Sequence, residues 1–194
     1  MDRREFFRRG IGKATKVVVD EAEHRARKNA SHWIRPPFAI EEVDFLLKCS
    51  RCDDCARACE KGLIFPLPAR RGPQVVGSPV LDLLNKSCDL CDDWPCVNAC
   101  KTGALQLPEV EEGETVEKPK LAFAVLDTGA CLPYSGPECG ACQGICPVPG
   151  ALVFEMEKPV IDKDLCVGCA LCREVCVVDP SAILIKSIYS EEIQ

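Results

Sequence analysis

The apolar positions of this chain come in short, well separated bursts. Over residues 1–30, Phe7, Ile11, Ala14, Val18 and Ala22 recur at spacings of four, three, four and four, with charged residues between them. That period puts them on one face of an amphipathic helix. Pro36-Pro37 closes it, because the residue before a proline is pushed out of helical geometry. Ile40 to Lys48 has the pattern of a second, short helix. The remaining bursts read as strands: Leu63-Ile64-Phe65, Ala104-Leu105-Gln106-Leu107, Leu121 to Leu126, Leu152 to Met156, Val160-Ile161 and Ala182 to Lys186. Pro66, Pro68, Pro73 and Pro79, with Gly72 and Gly77, make 66–79 a stiff loop. The runs at 104–107 and 121–126 flank an acidic loop, with Glu109, Glu111, Glu112, Glu114 and Glu117 around Gly113, and predict a hairpin. A tighter hairpin is predicted around Glu157-Lys158-Pro159.

None of these bursts approaches the roughly 20 apolar residues that cross a bilayer. The 194 residues suffice for one good-sized domain or two small ones, but only 6% are aromatic, which is thin for a conventional core. The 16 cysteines change the picture, since chains with small cores are held by staples.

The cysteines fall into four groups with none left over: Cys49, Cys52, Cys55, Cys59; Cys88, Cys91, Cys96, Cys100; Cys131, Cys139, Cys142, Cys146; and Cys166, Cys169, Cys172, Cys176. Groups one and four read C-x2-C-x2-C-x3-C. Group two stretches the middle gap to four residues, and group three stretches the first to seven. A disulfide framework needs an oxidising compartment, and cysteines three apart are poorly placed to bridge. Structural zinc sites join two C-x2-C pairs across a longer gap. The spacing found here is that of bacterial ferredoxins. There, three thiolates of one loop hold a [4Fe–4S] cluster and the fourth cysteine ligates the other cluster. Four groups predict four [4Fe–4S] clusters in two exchanged pairs, with all sixteen cysteines as iron ligands. Two pairings fit, nested (one with four, two with three) or sequential (one with two, three with four). Nesting is favoured, because groups two and three are the stretched ones and the hairpin at 104–126 joins them.

Other chemistry is sparse. His24 and His32 are the only histidines, and both read as surface or packing residues. Glu41-Glu42 and Asp92-Asp93 read as surface charge rather than acid–base pairs. No Gly-rich phosphate loop or nucleophile–base pair is present, so the chain reads as an electron carrier without a catalytic site of its own.

The net charge of −6 is unevenly spread, about +5 over residues 1–35 and −11 over the rest. An acidic body lacks the basic footprint that nucleic acid requires and suits docking on basic patches of redox proteins. Asp2-Arg3-Arg4-Glu5-Phe6-Phe7-Arg8 has the look of a twin-arginine export signal. Lys13, Lys16, Asp20 and Glu21 interrupt the apolar stretch such a signal needs. The expectation is a retained N-terminus and a cytoplasmic location, with periplasmic export as the alternative.

Several stretches carry a family resemblance. Arg35-Pro36-Pro37-Phe38 and Phe45-Leu46-Leu47-Lys48-Cys49-Ser50-Arg51-Cys52 resemble the accessory ferredoxins of periplasmic nitrate reductase systems, the NapF and NapG types, and the methylamine-utilisation ferredoxin MauM. The stretch from Cys88 through Trp94-Pro95-Cys96 to Leu105 is similar to the second motif of NapG and MauM, and Cys131 to Cys139 to the third motif of these proteins. The resemblance implies electron transfer through four [4Fe–4S] clusters, with redox partners such as a molybdenum-type oxidoreductase or a membrane quinol-oxidising protein. A cytoplasmic maturation or chaperone-like role for a metallo-oxidoreductase is the alternative it leaves open. The expected fold is α+β: two bacterial-ferredoxin-like modules from an internal cysteine-motif repeat. Residues 1–38 form a basic helical extension with a Pro-Pro linker, 39–188 the four-cluster domain and 189–194 a flexible tail.

Overall fold

The computed structural model describes residues 19–110 and 115–193, a mixed helix and sheet chain of small elements. The elements in order are helix α1 over 19–30, α2 (Glu42–Lys48), α3 (Asp54–Ala58), β1 (Ile64–Pro66), β2 (Pro79–Leu81), α4 (Pro95–Asn98), β3 (Ala122–Leu126), α5 (Leu132–Ser135), β4 (Leu152–Glu155), β5 (Lys158–Ile161), α6 (Leu171–Glu174) and β6 (Ile183–Ser187), with short 3-10 turns at Ala69–Arg71 and Ile188–Ile193. Phe7, Ile11, Ala14 and Val18 of the expected stripe, and Glu111 to Glu114 of the acidic loop, lie outside the described residues. Ala22, the last of the stripe, is exposed.

Among the described residues the strands form three antiparallel pairs and no larger sheet. β1 pairs with β2, so the stiff loop at 66–79 returns as a strand, Phe65 opposite Val80. β4 and β5 form the tight hairpin, Val153 opposite Val160, with Met156 and Glu157 in left-handed conformation at the turn. β3 pairs with β6 in register from Ala122–Ser187 to Leu126–Ile183. This corrects the hairpin expected between 104–107 and 121–126. The first run is not a strand; Leu105 makes a single antiparallel bridge with Ala39. Each run finds a distant partner that closes its own cysteine-bearing stretch: Ala39 and Leu105 bracket groups one and two, and β3 and β6 bracket groups three and four.

The Pro36-Pro37 stretch, expected to be a linker, is packed instead. Both prolines are fully buried, and Ala30 and Trp33 nearby are buried too. The Ser187 hydroxyl donates to the Ala30 carbonyl at 3.1 Å, tying the end of α1 to the end of β6. Glu42, expected at the surface, is 3% exposed. Its carboxylate takes both forks of the Arg35 guanidinium, at 2.6 and 2.9 Å, while Arg35 Nη1 donates to Ser78 Oγ and the Pro79 carbonyl, each at 2.9 Å. The guanidinium also lies over the Phe45 ring, 4.5 Å from its centre. A bidentate pair with its remaining donors satisfied is what a buried charge requires. Among the described residues no helix is long and apolar enough to cross a membrane.

The main core runs from Phe45, Leu63 and Leu83 through Trp94 and Ala122 to Val167. Four cysteines, Cys55, Cys88, Cys96 and Cys169, are part of it. The apolar packing and the thiol chemistry therefore occupy the same space.

Candidate metal centre

Each cysteine loop is a tight turn running into a helix of four or five residues. In groups one, two and four the residue before the second cysteine is left-handed: Arg51, Leu90 and Gly168. The residue that opens the following helix is left-handed as well: Asp53 before α3, Trp94 before α4 and Ala170 before α6. In group two the added residues place Trp94 at that opening and Pro95 in the first turn, where a missing N–H costs nothing. Group three departs from the pattern: its α5 opens directly on an extended Cys131. Left-handed residues between right-handed ones turn successive backbone N–H groups to one side, and such nests cradle anions and iron–sulfur groups. Non-glycine residues adopt this geometry at a cost of about 1–2 kcal/mol each, and strain of this kind gathers at functional sites.

The thiols assemble into sets that exchange a member. One apolar cavity of about 60 Å³ is lined by Cys88, Cys91 and Cys96 of group two together with Cys59 of group one, under Trp94 and Leu63. A second, of about 20 Å³, is lined by Cys166, Cys169 and Cys172 of group four together with Cys146 of group three. For the other two groups, Cys100 and Cys176 are among the neighbouring thiols. Burial pushes the Cys55 thiol up to about 11, and the neighbours that add to the shift are Cys49, Cys100 and Cys52. Burial raises Cys142, with Cys131, Cys176 and Cys139 adding to it. Four sets result: Cys49, Cys52, Cys55 with Cys100; Cys88, Cys91, Cys96 with Cys59; Cys131, Cys139, Cys142 with Cys176; and Cys166, Cys169, Cys172 with Cys146.

This corrects the nested pairing expected above. Thiols of group one lie beside those of group two, and thiols of group three beside those of group four. The β1–β2 hairpin returns the chain so that α3 and α4 lie together, and the β4–β5 hairpin does the same for groups three and four. The 104–107 and 121–126 runs do not pair, so nothing draws group two onto group three.

Burial dominates the other thiols too. It raises Cys96 and Cys172 to about 12, and Cys88 and Cys169 to about 11. Two thiols move the other way. At Cys100 burial is outweighed by hydrogen bonds from the Leu105 N–H, at 3.4 Å, and from the Thr102 hydroxyl and nearby backbone. At Cys176 the Ser181 hydroxyl and the Val178 and Ala182 backbone do the same. These are the two fourth cysteines that reach back to an earlier group, and each is met by a hydroxyl a few residues on. Of the sixteen cysteines, Cys52 and Cys91 are exposed; the rest are partly or fully buried. Among the described residues no three His, Cys, Asp or Glu side chains close on one point tightly enough for a single metal ion. Two of the sets line cavities instead.

His24 and His32 are exposed, as are Asp92 and Asp93. Glu41 is paired with Arg27 at 3.0 Å. Sequence reasoning passed over Lys61, Ser87 and Glu174, which join the stretch around group two to group four. They carry no motif, and only the fold brings them together.

A chain with these loops and shared thiol sets is an iron–sulfur protein of the ferredoxin type. Comparison with curated proteins agrees. The chain is 34% identical to the methylamine utilization ferredoxin-type protein MauM of Methylobacillus flagellatus, over 79% of this chain and 68% of that one. It is 31% identical to the ferredoxin-type protein NapG of Haemophilus influenzae and 32% identical to the ferredoxin-type protein NapF of Escherichia coli. These matches cover 78% and 84% of this chain, and 58% and 90% of the relatives. The chain thus spans little more than half the length of that NapG. It belongs to the NapG, NapF and MauM family of ferredoxin-type proteins. No protein-family model and no solved structure matches it.

Proposed function

We propose that the chain is a polyferredoxin that relays single electrons between redox proteins through four [4Fe–4S] clusters. The observation that carries this reading is the reciprocal exchange of fourth cysteines, which ferredoxins with two clusters use. The neighbouring thiols of groups one and two, and again of groups three and four, support it. On this reading the chain holds two ferredoxin-like modules within 39–188, with 1–38 as an extension and 189–194 as a tail. The Ala39–Leu105 bridge and the β1–β2 pair of the first module answer to the β3–β6 and β4–β5 pairs of the second.

The residues fit such groups. The sixteen cysteines would be the ligands, four to each set. Cavities lined by thiols, rather than thiols closing on one point, suit a multinuclear core better than zinc, whose thiolates stand about 2.3 Å from the metal. When bound, a cluster of this kind takes up and returns one electron. The chain's part is to place and tune the sites. Backbone N–H groups meet the sulfurs, that of Leu90 at Cys88 and that of Leu171 at Cys169, and Trp94 and Leu63 cover the buried side of the group-two set, whose Cys91 faces solvent. The hydrogen bonds at Cys100 and Cys176 favour their thiolates. Nothing in this arrangement calls for a catalytic side chain, and the acidic body would dock on basic surfaces. By its family the chain would serve a molybdenum-type oxidoreductase or a quinol-oxidising membrane protein.

The test is metal content and electron exchange. Anaerobically purified protein should carry about 16 irons and about 16 labile sulfides, four of each per cluster, and should pass electrons to a physiological partner. Zinc in place of iron, or half that iron, overturns the four-cluster reading. Tight binding of an apo-oxidoreductase by a protein that no partner can reduce would assign it to maturation instead.

A further inference from the structure

The two halves of the chain meet at the cysteines. The Cys88 N–H donates to the Cys169 carbonyl at 2.8 Å, so a residue of the group-two set is bonded through its backbone to a residue of the group-four set. Both side chains are buried, and the Cys169 thiol is among the neighbours that raise the Cys88 thiol. No such link joins the other sets across the halves among the described residues. The Cys49 set has Cys100 as its neighbour from the second group of its own half, and the Cys131 set has Cys176 from that of its own half.

Side chains fasten this seam on both flanks. Ser87, fully buried, donates its hydroxyl to Glu174, which lies between Cys172 and Cys176. Lys61, two residues past Cys59, reaches Glu174 at 3.6 Å and Asp89, between Cys88 and Cys91, at 3.1 Å. Arg173, beside Glu174, donates to the Leu84 carbonyl at 3.0 Å, and its other nitrogen to the Ile183 carbonyl. Every one of these residues sits within three positions of a cysteine of the two adjoining sets, or in the strands and loops that lead to them.

We infer that electrons cross between the halves only where the Cys59–Cys88–Cys91–Cys96 set meets the Cys146–Cys166–Cys169–Cys172 set, with Ser87, Lys61 and Glu174 as positioning residues of that crossing. The inference rests on the relay reading and deepens it by fixing the order of the route. The set of Cys49, Cys52, Cys55 and Cys100 is one end, then come the group-two and group-four sets, and the set of Cys131, Cys139, Cys142 and Cys176 is the other end. The crossing is a one-electron exchange in which one inner site is oxidised as the other is reduced. No atom moves, and donors and acceptors are needed only at the ends.

The test uses the full chain, loaded anaerobically, with iron analysis beside EPR of the reduced protein. The wild type should show magnetic splitting between the halves. In Cys96→Ala, which removes an inner site, that splitting is lost. In Cys139→Ala, which removes an end site, it is retained. Ser87→Ala at full iron content should shrink the splitting, because the seam loses its buried fastening, while Glu155→Gln on exposed β4 leaves it unchanged. Splitting that survives Cys96→Ala with the other sites loaded, or that vanishes in Cys139→Ala, overturns the route. Splitting unchanged by Ser87→Ala at full iron overturns the positioning role. Background iron in the wild type fells the relay reading itself, before the seam is tested.

Discussion

Gly168 shows how narrowly single residues are constrained in these loops. It is left-handed, at φ +71°, and a Cβ placed there would overlap the backbone of Ala122 in β3. The equivalent positions in groups one and two hold Arg51 and Leu90, also left-handed. Conformation alone therefore does not demand glycine; the approach of β3 does. Gly168→Ala should cost about 2–5 kcal/mol, left-handed strain and overpacking combined. It should appear as a lower melting temperature and loss of iron from the group-four set. The Arg35–Glu42 pair is a second such point. Arg35→Met alone leaves a buried carboxylate without its partner and should destabilise by about 3–5 kcal/mol. Arg35→Met with Glu42→Leu should recover most of that loss in the same denaturation experiment. No local pattern in the sequence marks Glu42 as buried, because Arg35, which pairs with it, is itself held by the Ser78 hydroxyl and the Pro79 carbonyl, more than forty residues further along the chain.

At the scale of elements, what could be read in advance was set by how local each signal is. The β4–β5 hairpin and the short helix before Cys49 depend on neighbours in sequence; the helix is where the pattern put it, and the hairpin forms but turns at Met156 and Glu157, with Lys158 and Pro159 already in β5. The partner of β3 was not legible. Leu121 to Leu126 looks equally ready to pair with 104–107 or with 182–186, and apolar alternation does not choose. That choice also decided which cysteine groups meet, so the nested expectation failed with the hairpin it rested on. The left-handed helix openings at Trp94 and Ala170 were hidden for another reason: these residue types have no preference for that conformation, which the loop imposes on them, whereas Asp53 is of a type that tolerates it. The exchange of cysteines between elements makes a sharp prediction. Cys59→Ser should spare the Cys49 set and damage the Cys88 set, leaving about 12 irons of about 16. Site-resolved EPR checks which signal is lost.

For the whole molecule, the balance between core and thiol sites matters most. The strand pairs have three to five residues each and most helices four to seven. Such elements are not stable alone. Four cysteines belong to the main core. Metal binding would then be much of the folding free energy, as in other small metal-held domains. Chelation of the iron under anaerobic, reducing conditions should abolish cooperative thermal unfolding and expose apolar surface to a reporter dye. A cooperative melt that persists after complete iron removal would show that the apolar core suffices.

The two exposed cysteines, Cys52 and Cys91, both lie in the first half of the chain, and the second half has none. Oxidants reach thiolates in proportion to their exposure. In air the protein should therefore decay from one side. The Cys49 and Cys88 sets would bleach first, leaving a population whose first half is spent while the second still takes up electrons. Timed exposure to oxygen, followed by EPR of the surviving signals, would show this as two separated phases of loss. A carrier built this way fails by losing its connection before it loses its capacity.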